Sequence, residues 1–282
     1  MLSYLPLSHV AAQMVDIVAM MAVAGTTYFA DKNVLKSSLL DNLQWCKPTI
    51  FFAVPRVWEK IMEKMLEKAK EVKGLKKTVS RKAKEIGLKY HTKGTNATEF
   101  KLFQKIYFSK VKALLGLDQC TAFMSGAAPI DRKTQLYFLS LDIRILELYG
   151  MSETTGGHTF NTINKFKMSS VGAPLAECYK SKLMRPSNGE VGNMMVVDLM
   201  IFNRKYWQVT EEKELLMWGR HIMMGYANRQ DATRKDMTED GWLRYKHCNI
   251  RLHCKTDIYS GLAIWCQLTM RTSMLLWEER RC

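Results

Sequence analysis

The run Thr49-Ile-Phe-Phe-Ala-Val54 constrains this chain more than any other stretch. Its residues are β-branched and aromatic, so it reads as a buried strand, bounded by Lys47-Pro48 before it and Pro55 after it. Trp58, Ile61, Met62, Met65, Leu66, Ala69 and Val72 then recur at steps of three and four, one apolar helix face that stops near Gly74. The alternation returns further on. Phe100 to Leu117 reads as a helix ended at Gly116, Cys120 to Ser125 as a short strand, and Asp131 as the cap of a helix running to Leu139. A second buried strand follows at Ile143, Ile145 and Leu148. Strand, helix, strand, helix is the rhythm of an α/β fold: a mostly parallel sheet with flanking helices.

The flanks are less regular. Val10 to about Met21 suits a core helix, Ala22 to Ala30 a strand ending at Asp31, and Leu35 to Leu43 another helix. The apolar stretch from Val10 to Gly25 is interrupted by Gln13 and Asp16 and is too short to span a bilayer; no basic segment precedes it, which argues against a signal peptide. After Ser169 the texture changes to short β-like pieces: Ser170 to Pro174, Lys182 to Met184, Met194 to Phe202 and Glu214 to Arg220. A short helix is expected from Asp231. From Arg244 the pattern dissolves into a tail that holds four of the seven cysteines. The expected division is an α/β part over residues 1–168, a β-rich part over 169–243 with an insertion near 191–210, and an unassigned tail over 244–282.

With 47% hydrophobic and 24% charged residues the composition is that of a folded protein, and the odd number of unpaired cysteines suggests free thiols in a reducing compartment. Net charge is +15, which favours acidic partners. Nearly half the excess lies between Glu59 and Lys93, where twelve Lys and Arg face five Glu. Lys60/Glu63 and Lys64/Glu67 make this a solvated helical surface, or else a surface for an anionic membrane. The run has almost no interleaved aromatics to stack on bases, so nucleic acid is not expected.

The chemistry concentrates in Glu147-Leu-Tyr-Gly-Met-Ser-Glu-Thr-Thr-Gly-Gly157. A strand ends at Gly150 in a loop of hydroxyls, a carboxylate and glycines. Hydroxyls and backbone N–H groups bind phosphate oxygens, a carboxylate offers Mg²⁺ a hard oxygen, and glycine lets a ligand approach. A polar turn has the same composition. In parallel α/β sheets ligands bind beyond the carboxyl ends of strands. Both this loop and Ser125-Gly-Ala-Ala128 occupy such ends, so the two are expected to face one another. No Walker-type or dinucleotide-type glycine loop is present, which leaves kinase, P-loop and dinucleotide readings unsupported. His247-Cys248 and His253-Cys254 match no zinc spacing.

Tyr4-Leu-Pro-Leu-Ser-His9, Pro48 to Lys60, Ser125-Gly-Ala-Ala-Pro129, Leu148 to Glu153, Trp218-Gly-Arg220, Gly225-Tyr226 and Asp240-Gly-Trp-Leu243 stand in a fixed order. That order resembles the adenylate-forming acyl-CoA synthetases, most of all the bubblegum-type long-chain fatty acyl-CoA synthetases. The resemblance implies part of that family's large domain and a two-step ligase that uses ATP, Mg²⁺, coenzyme A and a long-chain fatty acid. By the family pattern Glu147, Leu148, Tyr149, Gly150, Met151 and Ser152 line the ATP site, Tyr149 near the adenine. Glu153 holds Mg²⁺, Thr154 contacts phosphates, and Gly126 and Ala127 border the adenine and the acyl group. His9 sits near the carboxylate end of the acyl pocket, where a core histidine is the competing reading. Arg56 and Trp58 read as fold determinants. A cytoplasmic protein, peripheral on intracellular membranes such as the endoplasmic reticulum, is the matching location.

The departures are large. In the family a Ser/Thr/Gly-rich phosphate loop precedes the block matched by Tyr4 to His9, where this chain starts. After the block matched by Asp240 to Leu243 the family has His-Ser-Gly-Asp, whose aspartate holds the ribose; here Arg244-Tyr-Lys-His247 stands, with His247 at the aspartate's place. Neither the hinge arginine nor the lid lysine has a counterpart. An inactive, poorly soluble fragment is expected, and the competing expectation is a non-catalytic lipid- or membrane-binding protein derived from the family.

Overall fold

The computed structural model describes residues 1–184 except 96 and 165, residues 198–201, and residues 213–253 except 249. In chain order the elements begin with β1 (Leu2–Ser3), α1 (Val10–Ala12), a π-helical stretch Gln13–Val18, α2 (Ala19–Ala22) and β2 (Tyr28–Phe29). A second π stretch, Val34–Ser38, leads into α3 (Leu39–Cys46). Then come β3 (Ile50–Ala53), α4 (Pro55–Glu71), α5 (Leu75–Lys93), α6 (Ala97–Phe103), a third π stretch Gln104–Phe108, α7 (Ser109–Leu114), β4 (Ala122–Ser125) and α8 (Arg132–Leu139). β5 (Ile145–Met151), a 3₁₀ turn Ser152–Thr154, β6 (Gly156–Phe160), β7 (Ala173–Pro174), β8 (Lys180–Met184) and β9 (Asp198–Ile201) follow. β10 (Lys213–Trp218), α9 (Gln230–Asp236), β11 (Leu243–Cys248) and β12 (Ile250–His253) complete the order. β3 to β7 lie in one sheet in sequence order.

The chain divides into two compact units, Met1–Asp16 with Thr26–Leu146, and Ile17–Gly25 with Glu147–Cys282. The change at Leu146/Glu147 falls inside β5, while the change of sequence texture falls near Ser169.

In the first unit β1 and β2 pair in parallel, as do β3 and β4, with Ile50 opposite Ala122 and Ala53 opposite Ser125. The core is aromatic. Trp58 is fully buried, its ring 5.2 Å from Phe51 and 5.0 Å from Phe138, both edge-on. Its indole N–H donates to the Met124 carbonyl at 3.2 Å, so helix α4 and strand β4 are tied by one side chain. Each such ring contributes about 1.5–3 kcal/mol through burial. Arg56 is exposed and pairs with Glu59 and Glu63. The Tyr4 hydroxyl donates to the Phe52 carbonyl at 3.1 Å, which fixes the Tyr4–His9 segment to β3. Asp131 caps α8 by accepting from the Lys133 N–H at 2.9 Å, as its position predicted. The charge run from 59 to 93 is the outer face of α4 and α5.

In the second unit β5, β6 and β7 are antiparallel, β8–β10–β11 form a second antiparallel sheet, and β9 pairs antiparallel with β12. A turn of four residues between β5 and β6 is too short for the crossover that a parallel partner needs, so the sheet becomes mixed here.

Three local expectations are corrected. Val10 to Met21 is not one regular helix, because its middle widens to π geometry. The strand expected over Ala22 to Ala30 shrinks to Tyr28–Phe29. Residues 23–25 are spent on stopping the helix: Ala24 is left-handed at φ 51°, and the Gly25 N–H reaches back to the Met20 carbonyl at 2.7 Å. The pattern does not dissolve at Arg244, since β11 continues to Cys248 against β10. Most of the insertion near 191–210, and Cys254 of the second His-Cys pair, lie outside the described residues. Among the described residues, no helix is long and apolar enough to cross a membrane.

Candidate active site

β5 delivers its last residues into a turn whose geometry leaves little choice of side chain. A Cβ on Gly150 would stand 1.7 Å from the Gly156 carbonyl oxygen, so only glycine lets the two strands close there. Thr155 then takes a left-handed conformation, φ 49°. Thr154 is fully buried and its hydroxyl serves the turn itself. It accepts from the Met151 N–H at 3.0 Å and has the carbonyls of Gly156, at 2.8 Å, and Met151, at 3.1 Å, to donate to. Ser152 is exposed and Glu153 half-buried.

A second segment, His221 to Tyr226, fastens this turn at three points. The Thr155 hydroxyl donates to the His221 carbonyl at 2.7 Å, and the Met223 N–H donates to the Glu153 carbonyl at 2.9 Å. The Tyr226 hydroxyl donates to Glu153 Oε1 at 3.0 Å. Burial first, and then the Glu153 and Asp236 carboxylates, push the Tyr226 phenol up to about 12, so it stays a donor. Oε2 of Glu153 takes no hydrogen bond among the described residues, and the carboxylate can offer it to a cation.

Beneath lies a buried pair that sequence reasoning missed. His158 Nδ1 and His221 Nε2 are 2.8 Å apart, and His158 Nε2 is 2.7 Å from the Ser181 hydroxyl. Tyr179 stacks on His221 with ring centroids 3.4 Å apart. Burial, then the neighbouring His221, lowers His158 to about 3; burial lowers His221 to about 4. Both are therefore neutral near pH 7 and act as hydrogen-bonding struts. Sixty-three residues separate them, so no local spacing gave them away.

Of the other residues predicted for the site, Glu147 is buried in β5, its carbonyl accepting from the Asn161 N–H at 2.9 Å. Leu148, Tyr149, Gly150 and Met151 are half-buried. Tyr149 meets the Tyr245 ring edge-on at 5.9 Å. His247 falls in β11.

Gly126, Ala127 and His9 belong to the first unit. Gly126 is buried and Ala127 is exposed with φ 70°, a strained conformation for a residue with a Cβ. Beside them Ser125 is 1% exposed and its hydroxyl has no partner among the described residues. His9 is exposed and caps α1, its Nδ1 accepting from the Ala11 N–H at 3.1 Å. A neutral His9 must then carry its proton on Nε2.

The AMP-binding enzyme family matches residues 1–227. The chain belongs to that family. It is 40% identical over 246 residues to a Xenopus laevis protein named long-chain-fatty-acid–CoA ligase ACSBG2, a match that covers 86% of this chain and 30% of that one. Its Homo sapiens counterpart is 38% identical, with 86% and 34% covered. The Homo sapiens protein named long-chain-fatty-acid–CoA ligase ACSBG1 is 33% identical, with 86% and 31% covered. The chain thus spans about a third of the length of these curated relatives. The crystal structure of apo MatB from Rhodopseudomonas palustris superposes with TM-score 0.54 at 15% identity, covering 89% of this chain and 39% of that one. The N-terminal domain of FACL13 from Mycobacterium tuberculosis gives 0.52 at 16% identity, covering 86% and 46%. The expected α/β fold of an adenylate-forming large domain is met.

Among the described residues no three His, Cys, Asp or Glu side chains converge as a metal cage. A cation held by Glu153 would take its other ligands from water and phosphate oxygens, which is ordinary for Mg²⁺.

Proposed function

We propose that this chain carries the Glu153 wall of the MgATP site of a long-chain fatty acid–CoA ligase. In that reaction a fatty acid carboxylate attacks the α-phosphate of ATP, releasing pyrophosphate, and the coenzyme A thiol then displaces AMP from the acyl-adenylate. The observation that carries the reading is the turn after β5, where Glu153 is held through Oε1 and its backbone while Oε2 is unengaged. When bound, Mg²⁺ supplies charge neutralisation at the phosphates. Ser152, exposed on the same turn, is the hydroxyl assigned to phosphate oxygens, while Thr154 shapes the loop from within. Glu147 to Met151 form the strand that backs the nucleotide, with the Tyr149 ring near the adenine. By the family pattern Gly126 and Ala127 are assigned to the border of the adenine and acyl group, and His9 to the acyl carboxylate. His247 replaces the ribose-holding aspartate, so one charge-assisted contact of about 1.5–3 kcal/mol is absent and turnover of this chain is expected to be low.

Acyl-dependent ATP–pyrophosphate exchange tests the reading. Weak exchange that falls at least about 100-fold in Glu153→Ala supports it. Exchange that is indifferent to Glu153 contradicts it.

A second reading, peripheral membrane binding, has one observation in its favour. At the corner between α4 and α5, Leu75 is 86% exposed with Lys73, Lys76 and Lys77 around it, all exposed. An apolar tip among lysines suits an anionic bilayer surface. Sedimentation with phosphatidylserine vesicles, lost on Lys76→Glu with Lys77→Glu, tests it.

A further inference from the structure

Glu153 is held by more than its own turn. Both of its polar ends, the backbone carbonyl and the carboxylate, receive hydrogen bonds from the one segment that runs from His221 to Tyr226. That segment is itself anchored. The Tyr226 N–H donates to the Thr233 hydroxyl of α9 at 2.9 Å, and the Thr233 hydroxyl donates in turn to the Arg229 carbonyl at 3.0 Å. Gly225 beside it has φ 153°, and a Cβ there would stand 2.8 Å from Thr233 Cγ2, so the tyrosine backbone is seated against α9. At its other end the segment is carried by His221, which stands on His158, itself bonded to the Ser181 hydroxyl.

The phenol has one proton and two acceptors within reach, Glu153 Oε1 at 3.0 Å and Asp236 Oδ2 at 3.4 Å. The shorter contact has ordinary hydrogen-bond length and the longer one does not. A carboxylate that accepts a hydrogen bond on one oxygen is fixed in rotation, and its other oxygen acquires a direction. That is how groups behind a metal ligand act: they orient it and keep it basic.

We propose that Tyr226 is the positioning residue for Glu153. It holds Oε1 so that Oε2 is presented to the divalent cation of the nucleotide, and Asp236 modulates it by competing for the same proton. This rests on the reading of Glu153 as a cation ligand. The ligand class is a divalent cation carrying a nucleoside triphosphate.

The test is Mn²⁺ binding to the full chain in the presence of a non-hydrolysable ATP analogue, followed by electron paramagnetic resonance, with binding of the metal-free analogue measured alongside. Tyr226→Phe is expected to weaken Mn²⁺ roughly 10-fold, within the range that outer partners of metal ligands cost, and to leave the metal-free nucleotide unchanged. Asp236→Ala, which removes the competing acceptor and leaves the phenol to Glu153 alone, is expected to hold or tighten Mn²⁺. Absence of binding in the unaltered chain, or binding untouched by Glu153→Gln, overturns the reading of Glu153 and this inference with it. Loss in Glu153→Gln with no change in Tyr226→Phe overturns the inference alone, as does an equal fall in Asp236→Ala. Should Tyr226→Phe not fold, Thr155→Val is read in its place. It releases the same segment at the His221 carbonyl, and an unchanged Mn²⁺ affinity would contradict positioning by that segment.

Discussion

Two strand ends carry the candidate chemistry, and they are built in opposite ways. At the end of β5 the turn itself is tied down: the Thr154 hydroxyl has three backbone partners, Thr155 is tied to His221, and Glu153 is tied to Met223 and Tyr226. At the end of β4 the buried Ser125 hydroxyl has no partner among the described residues, and Ala127 is held in a left-handed conformation that costs about 1 kcal/mol. The first is a rigid presentation of one carboxylate. The second keeps backbone strain and a hydroxyl without a partner among the described residues.

The contrast is open to attack by mutation. Gly150→Ala, which drives a Cβ into the Gly156 carbonyl, is expected to cost more than about 4 kcal/mol, read as a collapse of the urea midpoint. Tolerance of alanine there would mean that the hairpin is not tightly closed.

The next effect is on pH. His158 and His221 are lowered to about 3 and about 4 from 6.5. The unfolded chain then binds more protons between those values, so stability is expected to fall as pH drops from about 6.5 toward 4, by on the order of a few kcal/mol. A melting temperature flat across that range, or one that rises on acidification, would break the account of the buried pair.

The smallest effects compare the two strand ends directly. Thr154→Val leaves the Met151 N–H short of its acceptor and is expected to cost about 2–3 kcal/mol in chemical unfolding. Ser125→Ala removes a hydroxyl without a partner among the described residues, so its cost is expected within about 1 kcal/mol of zero and is equally acceptable as a gain. Equal losses at the two sites would erase the distinction.

What the sequence made legible was local. Thr49–Val54 became β3 within a residue at each end, the apolar stripe from Trp58 became α4, and Asp131 capped α8 because a cap needs only its own two neighbours. Glu153 stood out because hydroxyls, a carboxylate and glycines crowd into one turn, and the family pattern gave it an expected role. What stayed hidden depends on distant partners. β11 is a strand because β10 lies some thirty residues upstream to pair with it. Thr154, expected at the phosphates by the family pattern, is fully buried with its hydroxyl turned inward. Tyr226 stood in the Gly225-Tyr226 block with no role assigned to it; its place behind Glu153 is a contact across seventy-three residues.

The central claim is that Glu153 is the cation-holding wall of a nucleotide site, and a single titration reaches it. ATP binding to the chain, followed by calorimetry with Mg²⁺ and again with the cation chelated, is predicted to depend on Mg²⁺, and that dependence is predicted to vanish in Glu153→Ala. Equal Mg²⁺ dependence in the two proteins would contradict the claim.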